Sequence, residues 1–252
     1  MHHHDVLNAT EAMEPPRKGS DPWIARAIQP IVDQMVQERG AALRVLEAGS
    51  GSTSFLRFGD DPYVVGIDIS QAQLDRNAVL SEKIHGDIET YDLPEKAYDV
   101  IVCWSVLEHV PHPERAVARF ARATKPGGLI IIKVPNARSV KGLVTKLTPY
   151  RFHIWFHRRI LGREWAGKED LGPFPTPMSF SMAPDSIVAQ ARRLGLSVVH
   201  HAVYEHAIQR TVRAKFHIGD RFWRTFDRVI KRLTGGKVTA LESEFLVVLR
   251  QG

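Results

Sequence analysis

Three carboxylates stand at the ends of short apolar runs: Glu47 after 43–46, Asp68 after 63–67 and Asp87 just past 83–85. Glu47 leads into Ala48-Gly49-Ser50-Gly51-Ser52. A strand that runs into glycines turns sharply and lays bare backbone beside a ligand. Two side chains narrow the choice of ligand. A dinucleotide-binding turn wants a third glycine where this chain has Ser54. A carboxylate at the strand end repels a pyrophosphate and attracts an ammonium group, so the turn suits a nucleoside that carries an amino acid. Asp68 follows Gly51 by 17 residues, counting from 51 to 68. In a doubly wound sheet that position adjoins the first turn, where one carboxylate can accept from both ribose hydroxyls. Capping of a helix beginning at Ser70 is the plainer alternative. In His85-Gly86-Asp87-Ile88 the acid can accept from an adenine amine while Ile88 packs on the ring; turn chemistry also explains Gly-Asp.

These tips need an alternating scaffold, and the chain supplies one. Strands are predicted at 43–47, 63–67, 83–85, 98–103, 129–134, 197–204 and 244–250. A first helix from Ser20-Asp21-Pro22 to Gly40 carries Trp23, Ile24, Ala27, Ile28, Ile31, Val32 and Met35 at helical spacing, with Pro30 predicting a kink or two short helices. Further helices are predicted at about two turns over 52–58, from Ser70 to 80, and at 113–124 and 184–193. The rhythm specifies an α/β fold: a doubly wound, mostly parallel seven-stranded sheet with helices on both faces. Residues 1–19 read as a mobile arm and 20–252 as one domain. Its core is 41–136 and 183–252, interrupted by an aromatic, proline-rich lid at 137–182 and a basic helical insertion at 208–240.

A hydrophobic fraction of 44% with 25% charged residues is that of an ordinary folded chain. The longest apolar stretches are too short to span a bilayer, and the start has no apolar core of a secretory signal. The single cysteine, Cys103, excludes an internal disulfide and agrees with a reducing cytoplasm. The expected location is cytoplasmic, at most peripheral to a membrane. Of the net charge of +6, much lies in 210–237, which suits an anionic substrate or membrane face or is simply a solvated helix face.

The run Tyr98-Asp99-Val100-Ile101-Val102-Cys103-Trp104-Ser105-Val106-Leu107-Glu108-His109-Val110, with Lys125-Pro126-Gly127-Gly128 and the stretch 45–51, resembles the class I methyltransferases that use S-adenosyl-L-methionine, close to their small-molecule subfamily. The resemblance covers roughly 43–136, and the ordered set of motifs carries it. It implies a Rossmann-like sheet with an antiparallel last strand. It also implies S-adenosyl-L-methionine as cofactor, with Glu47, Gly49, Ser50 and Gly51 at the methionine end and Asp68 and Ile69 at ribose and adenine. Asp87 and Ile88 would flank adenine, with Trp104 and Ser105 along the cofactor near the sulfonium. The family often has a glycine two positions past Gly51, where this chain has Thr53.

Methyl transfer to a hydroxyl acceptor needs a base near neutral pKa. His109, just after the fourth strand, is the candidate; holding a neighbouring loop is its alternative role. His153 and His157 share a helix face in Tyr150-Arg151-Phe152-His153-Ile154-Trp155-Phe156-His157. With no accompanying glutamate or cysteine, a metal site is not expected. His153, Trp155 and His157 read as part of a lid lining the pocket of a small-molecule acceptor. The stretch 219–234 sets Phe222, Phe226, Val229, Ile230 and Leu233 on one side, the pattern of core packing or of a basic helix on a membrane.

A nicotinamide-dependent oxidoreductase is disfavoured by Glu47 and Ser54. Nucleic acid as partner is disfavoured because Val134-Pro135-Asn136-Ala137 is not the motif of amine-methylating DNA enzymes, and Cys103 lies in a strand rather than a proline-cysteine loop. A protein-arginine enzyme would want paired glutamates where only Glu108 stands.

Overall fold

In the computed structural model, residues 22–168 and 172–252 are described. The expected arm at 1–19 and the cap at Ser20-Asp21 lie outside them. Seven strands form one sheet: β1 Arg44–Ala48, β2 Tyr63–Asp68, β3 Glu82–His85, β4 Tyr98–Trp104, β5 Thr124–Pro135, β6 Leu196–Tyr204 and β7 Glu244–Gln251. Their order is β3-β2-β1-β4-β5-β7-β6. β7 runs antiparallel to both β5 and β6, and the other pairings are parallel. The central strands are covered on both faces, so they read as unbroken apolar runs: Val100, Ile101 and Leu129 to Ile132 are fully buried.

Helix α1 (Pro22–Arg39) lays Ile24, Ile28, Val32 and Met35 on one face against Val45, Val100, Leu129 and Val248. It is one helix, not two: Pro30 lies inside it on the exposed side, where water can satisfy the carbonyl that loses its donor. α2 (Gln71–Arg76) follows β2, and on the other face lie α3 (Pro113–Ala123) and α6 (Pro184–Arg193); Ala116, Val117 and Phe120 of α3 are fully buried there.

The expected helix at 52–58 is absent, and the segment is an irregular loop. Seven residues scarcely offset helix nucleation, and tertiary bonds take the backbone instead. Leu56 and Phe58 are buried against the α1 layer, and the Gln29 amide donates to the Arg57 carbonyl and accepts from its N–H. α2 also ends earlier than predicted, because Asn77 turns extended and inward, 1% exposed.

The two insertions meet. The first carries α4 (Val140–Leu147) and α5 (Tyr150–Arg159); the second carries α7 (Ala207–Lys215) and α8 (Asp220–Leu233). Val140 N–H donates to the Thr239 carbonyl, and the Lys215 ammonium to the Ile160 carbonyl. Together they make one cap at the carboxyl ends of β4 and β5. The basic stretch is partly neutralised within the cap. Buried Arg213 pairs with Glu205 and Asp220, and Lys231 with Asp227 and Glu242. Arg221, Arg224, Arg228 and Arg232 are left on the exposed side.

Candidate active site

The tips of β1, β2 and β3 lie side by side, as parallel neighbours must. Gly49 and Ser50 N–H both donate to the Ile67 carbonyl, at 2.8 and 3.1 Å. Asp68 accepts from Gly51 N–H at 2.9 Å with one oxygen and from Ser70 N–H at 2.8 Å with the other. Asp68 is therefore a brace between the first turn and α2, the role weighed above as its alternative; each oxygen keeps a second lone pair for a further donor. Ile69 beside it is an aliphatic side chain 71% exposed. Asp87 is exposed at the next tip and closes its own turn by accepting from Glu89 N–H. Ile88 is buried in the main core, so its position favours packing beneath the turn over stacking on a ring.

Glu47 is 5% exposed and accepts from the Ser54 hydroxyl at 2.6 Å. Burial holds its carboxyl above the usual glutamate range, with the Ser54 bond pulling the other way. A bound ammonium would favour its charged form. The Ser50 hydroxyl is buried with no hydrogen-bond partner. Gly49 has φ +72°, and a Cβ there would lie 2.4 Å from Val106. The first turn and the loop after β4 thus approach closely enough to require glycine. Three residues the sequence reading missed shape this cradle. Asn77 donates to the carbonyls of Ser50 and Gly51. Gly66 leaves room for Ser50, whose hydroxyl would be 2.9 Å from a Cβ there. Phe55 stacks on Trp104 with ring centres 5.1 Å apart.

At the tip of β4, Ser105 adopts φ +57°, a conformation costly for a non-glycine residue. Its N–H donates to the Lys133 carbonyl, and its hydroxyl accepts from the Lys133 ammonium at 2.9 Å. Lys133 in turn lies 2.6 Å from Glu244, which Lys141 also contacts. His109 closes the short helical turn Leu107–His109. Its Nδ1 lies 2.8 Å from the Pro175 carbonyl. A carbonyl can only accept, so Nδ1 carries a proton, and in the neutral ring Nε2 presents its lone pair.

A cavity of about 460 Å³ lies between this turn and the cap. Glu108 and His109 form part of its wall, with Lys141 and Val144 of α4, Phe152, His153, Phe156 and His157 of α5, and Trp223 of α8. Two of the three lid residues singled out in the sequence therefore reach it. Trp155 does not: it is 49% exposed and stacks on Phe152, because its place on α5 turns it outward. His153 and His157 are both lowered by burial, His157 to about 4.

A nucleoside-and-amino-acid cradle at the carboxyl ends of β1 to β4, under a helical cap with its own cavity, defines a class I S-adenosyl-L-methionine-dependent methyltransferase fold. A family model described as a methyltransferase domain matches residues 21–201, and the chain belongs to that family. A ubiquinone biosynthesis O-methyltransferase of Hahella chejuensis is 32% identical over 150 residues, 51% of this chain and 62% of that protein. One from Coxiella burnetii is 27% identical over 112 residues, 42% of this chain and 48% of that protein. The chain thus matches about half to three-fifths of these relatives' lengths. Among solved structures, an Archaeoglobus fulgidus methyltransferase aligns at TM-score 0.54 and 15% identity, covering 92% of this chain and 95% of that one. A Mesorhizobium loti methyltransferase aligns at TM-score 0.50 and 16% identity, over 89% and 98%. At these identities the likeness is one of fold.

The cradle fits the cofactor through Ser50 with its unpartnered hydroxyl, buried Glu47, and the close glycine turn. Asp68→Ala is expected to weaken S-adenosyl-L-methionine binding by roughly 1–3 kcal/mol, through loss of charge-assisted bonds. Calorimetric titration checks this; unchanged affinity would remove Asp68 from the site.

Proposed function

We propose that this chain methylates a hydroxyl oxygen of a small, amphipathic acceptor seated in the cap cavity. The observation that carries this reading is the position of His109, in the cavity wall and directly after the strand tip that flanks the cofactor cradle. When bound, S-adenosyl-L-methionine supplies a methyl group on a positively charged sulfur. The chain's own part is alignment, exclusion of water and removal of one proton. In this reading Glu47, Gly49, Ser50 and Gly51 hold the amino-acid end, and Asp68, Ile69 and Asp87 hold the nucleoside. Trp104, with Phe55 stacked on it, shields the reacting end. His109 Nε2 takes the acceptor proton, while the Pro175 carbonyl fixes the tautomer. The names of the Hahella and Coxiella relatives support oxygen as the acceptor atom. The test is transfer of isotopic methyl from S-adenosyl-L-methionine into an organic-extractable product from cell metabolites; label found only in protein or nucleic acid would overturn it.

The cap also suits contact with a membrane surface, where a lipid-linked acceptor would be met. No described helix is long and apolar enough to cross a bilayer. On α8, however, Phe222, Val229 and Leu233 are 65%, 50% and 80% exposed, and Arg221, Arg224, Arg228 and Arg232 flank them. A core-packing helix would bury that stripe; an interfacial one leaves it outward. Co-sedimentation with phosphatidylglycerol vesicles but not with phosphatidylcholine vesicles is the expected result, and equal behaviour with both would refute it.

A further inference from the structure

A buried polar atom needs a partner, and native folds leave few without one. Most polar side chains in the wall of the cap cavity have theirs. Lys141 pairs with Glu244. His153 Nε2 lies 2.8 Å from the Thr148 hydroxyl. The Gln209 amide donates to Glu205 and to the Ala240 carbonyl, and the Thr176 hydroxyl to the Phe174 carbonyl. Three wall side chains differ. Glu108, 7% exposed, keeps one carboxyl oxygen buried with no hydrogen-bond partner among the described residues. The same holds for Nδ1 of His157 and for the indole N–H of Trp223. Three such atoms around one cavity point to its occupant as their partner.

Each atom asks for a different group. The indole N–H can only donate, so it calls for an acceptor oxygen. The Glu108 carboxyl accepts when ionised and can donate when protonated; a hydroxyl serves both forms, because it donates and accepts. The His157 nitrogen takes either role through its tautomer and selects nothing. Glu108 stands on the sheet side, in the turn that carries His109, and Trp223 on the cap side, in α8. Between them the wall is apolar through Val144, Phe152 and Phe156. Trp223 is already held: Phe226 stacks on it with ring centres 5.0 Å apart, and the Arg213 guanidinium lies 5.5 Å from its ring. A donor oriented before binding loses little entropy when it is used.

We infer that the cap cavity takes a hydroxylated carbonyl compound on an apolar frame, its hydroxyl at the Glu108–His109 edge and its carbonyl oxygen accepting from the Trp223 indole. This rests on the proposal that the cap cavity is the acceptor site, and it narrows that acceptor to a chemical class. An alcohol with only a hydrocarbon body would leave the indole donor buried without an acceptor, which is the costly case.

The test uses three probes on one frame: para-hydroxybenzophenone, para-benzylphenol, which lacks the carbonyl, and benzophenone, which lacks the hydroxyl. Each is titrated calorimetrically into the full chain with S-adenosyl-L-homocysteine present, so that no methyl can move, at a pH where both phenols are neutral. Para-hydroxybenzophenone should bind about tenfold more tightly than either of the others. In Trp223→Phe its advantage over para-benzylphenol should vanish, while its advantage over benzophenone stays. A carbonyl that acted only by making the phenol a stronger donor would keep the first advantage in that variant, and this result would overturn the inference. A second readout needs no substitution. With isotopically labelled tryptophan, one of the five indole N–H resonances should move downfield with the two ketones and stay in place with para-benzylphenol. Equal binding of the three probes, no binding of any, or indole resonances indifferent to the carbonyl would each overturn the inference. Methyl transfer to acceptors without a carbonyl, beside equal probe binding, would sink this inference alone. A ketone preference without methyl transfer to any acceptor would sink only the proposed activity.

Discussion

Replacing His109 with alanine is expected to lower kcat by roughly 10²–10⁴-fold, about 3–5 kcal/mol in barrier, while S-adenosyl-L-methionine affinity stays unchanged. The cofactor cradle is built from the tips of β1 to β4, while the imidazole contacts Pro175, Thr176 and Phe174 on the cap side. The acceptor side depends on it twice over. Nε2 is the lone pair that would receive the acceptor proton, and Nδ1–H ties the turn after β4 to Pro175 in the cap. Alanine removes both, so a loss of rate alone would not separate chemistry from positioning. Asparagine does. Its amide nitrogen can stand where Nδ1 stands and donate to the Pro175 carbonyl, but it offers no base. His109→Asn should therefore be as slow as alanine, with KM near that of the natural chain. Recovery of turnover in His109→Asn would make His109 a positioning residue and move the base elsewhere. Steady-state kinetics, with calorimetry for the cofactor, measures kcat, KM and cofactor affinity.

What could be read in advance follows the range of the interactions involved. The strands were legible because both faces of a central parallel strand are buried, so each is a contiguous apolar word such as 129–132, bounded by turn residues. Helix ends were legible where a local cap sets them, as Ser70 does by accepting from Gln73 N–H at 3.2 Å. The loop 52–58 and the early stop at Asn77 were not, because residues far along the chain decide them: Gln29 for the loop, and the carbonyls of Ser50 and Gly51 for Asn77. In the site, Glu47, Asp68 and Asp87 could be placed at strand tips from spacing alone. What each carboxylate bonds to in the folded chain could not, and Asp68 proves to be a brace as well as a candidate ribose acceptor. Trp155 was misplaced because a ten-residue helix with aromatics all round gives periodicity no clear inward face. One signal went unused. Lys133 interrupts Leu129-Ile130-Ile131-Ile132, and Glu244 opens the equally apolar Phe245-Leu246-Val247-Val248-Leu249. A charge inside a buried strand calls for a partner of opposite sign, and the register sets the end of β5 beside the start of β7, Lys133 opposite Leu246 and Pro135 opposite Glu244.

That pairing leads to the largest expected effect on stability. Glu244→Ala should destabilise the fold by about 3–5 kcal/mol, because it removes one side of a buried ion cluster, the 1%-exposed carboxylate that Lys133 and Lys141 both contact. For a domain of this size that is a fall in Tm of roughly 6–20 °C. The cost is that of breaking a buried ion cluster from one side, and a second substitution separates it from the lost attraction. Lys133→Met combined with Glu244→Leu removes both charges from an apolar setting. It should recover most of the loss, even though Lys141, at the cavity side, must then turn toward solvent. The double variant should nevertheless disturb Ser105, since the Lys133 ammonium holds its hydroxyl, so stability can return without activity. The pH dependence has a definite sign. The two lysines hold the Glu244 carboxyl far below its ordinary value of 4.5 despite complete burial. Its contribution is therefore fully present above pH 4.5 and is lost as pH falls below that value toward the folded-state pKa. Denaturant unfolding at pH 7 and again near pH 3.5 should show the natural chain's advantage over Glu244→Ala shrinking in acid. An advantage that is constant or growing on acidification would mean that Glu244 is not the ionised centre of this cluster.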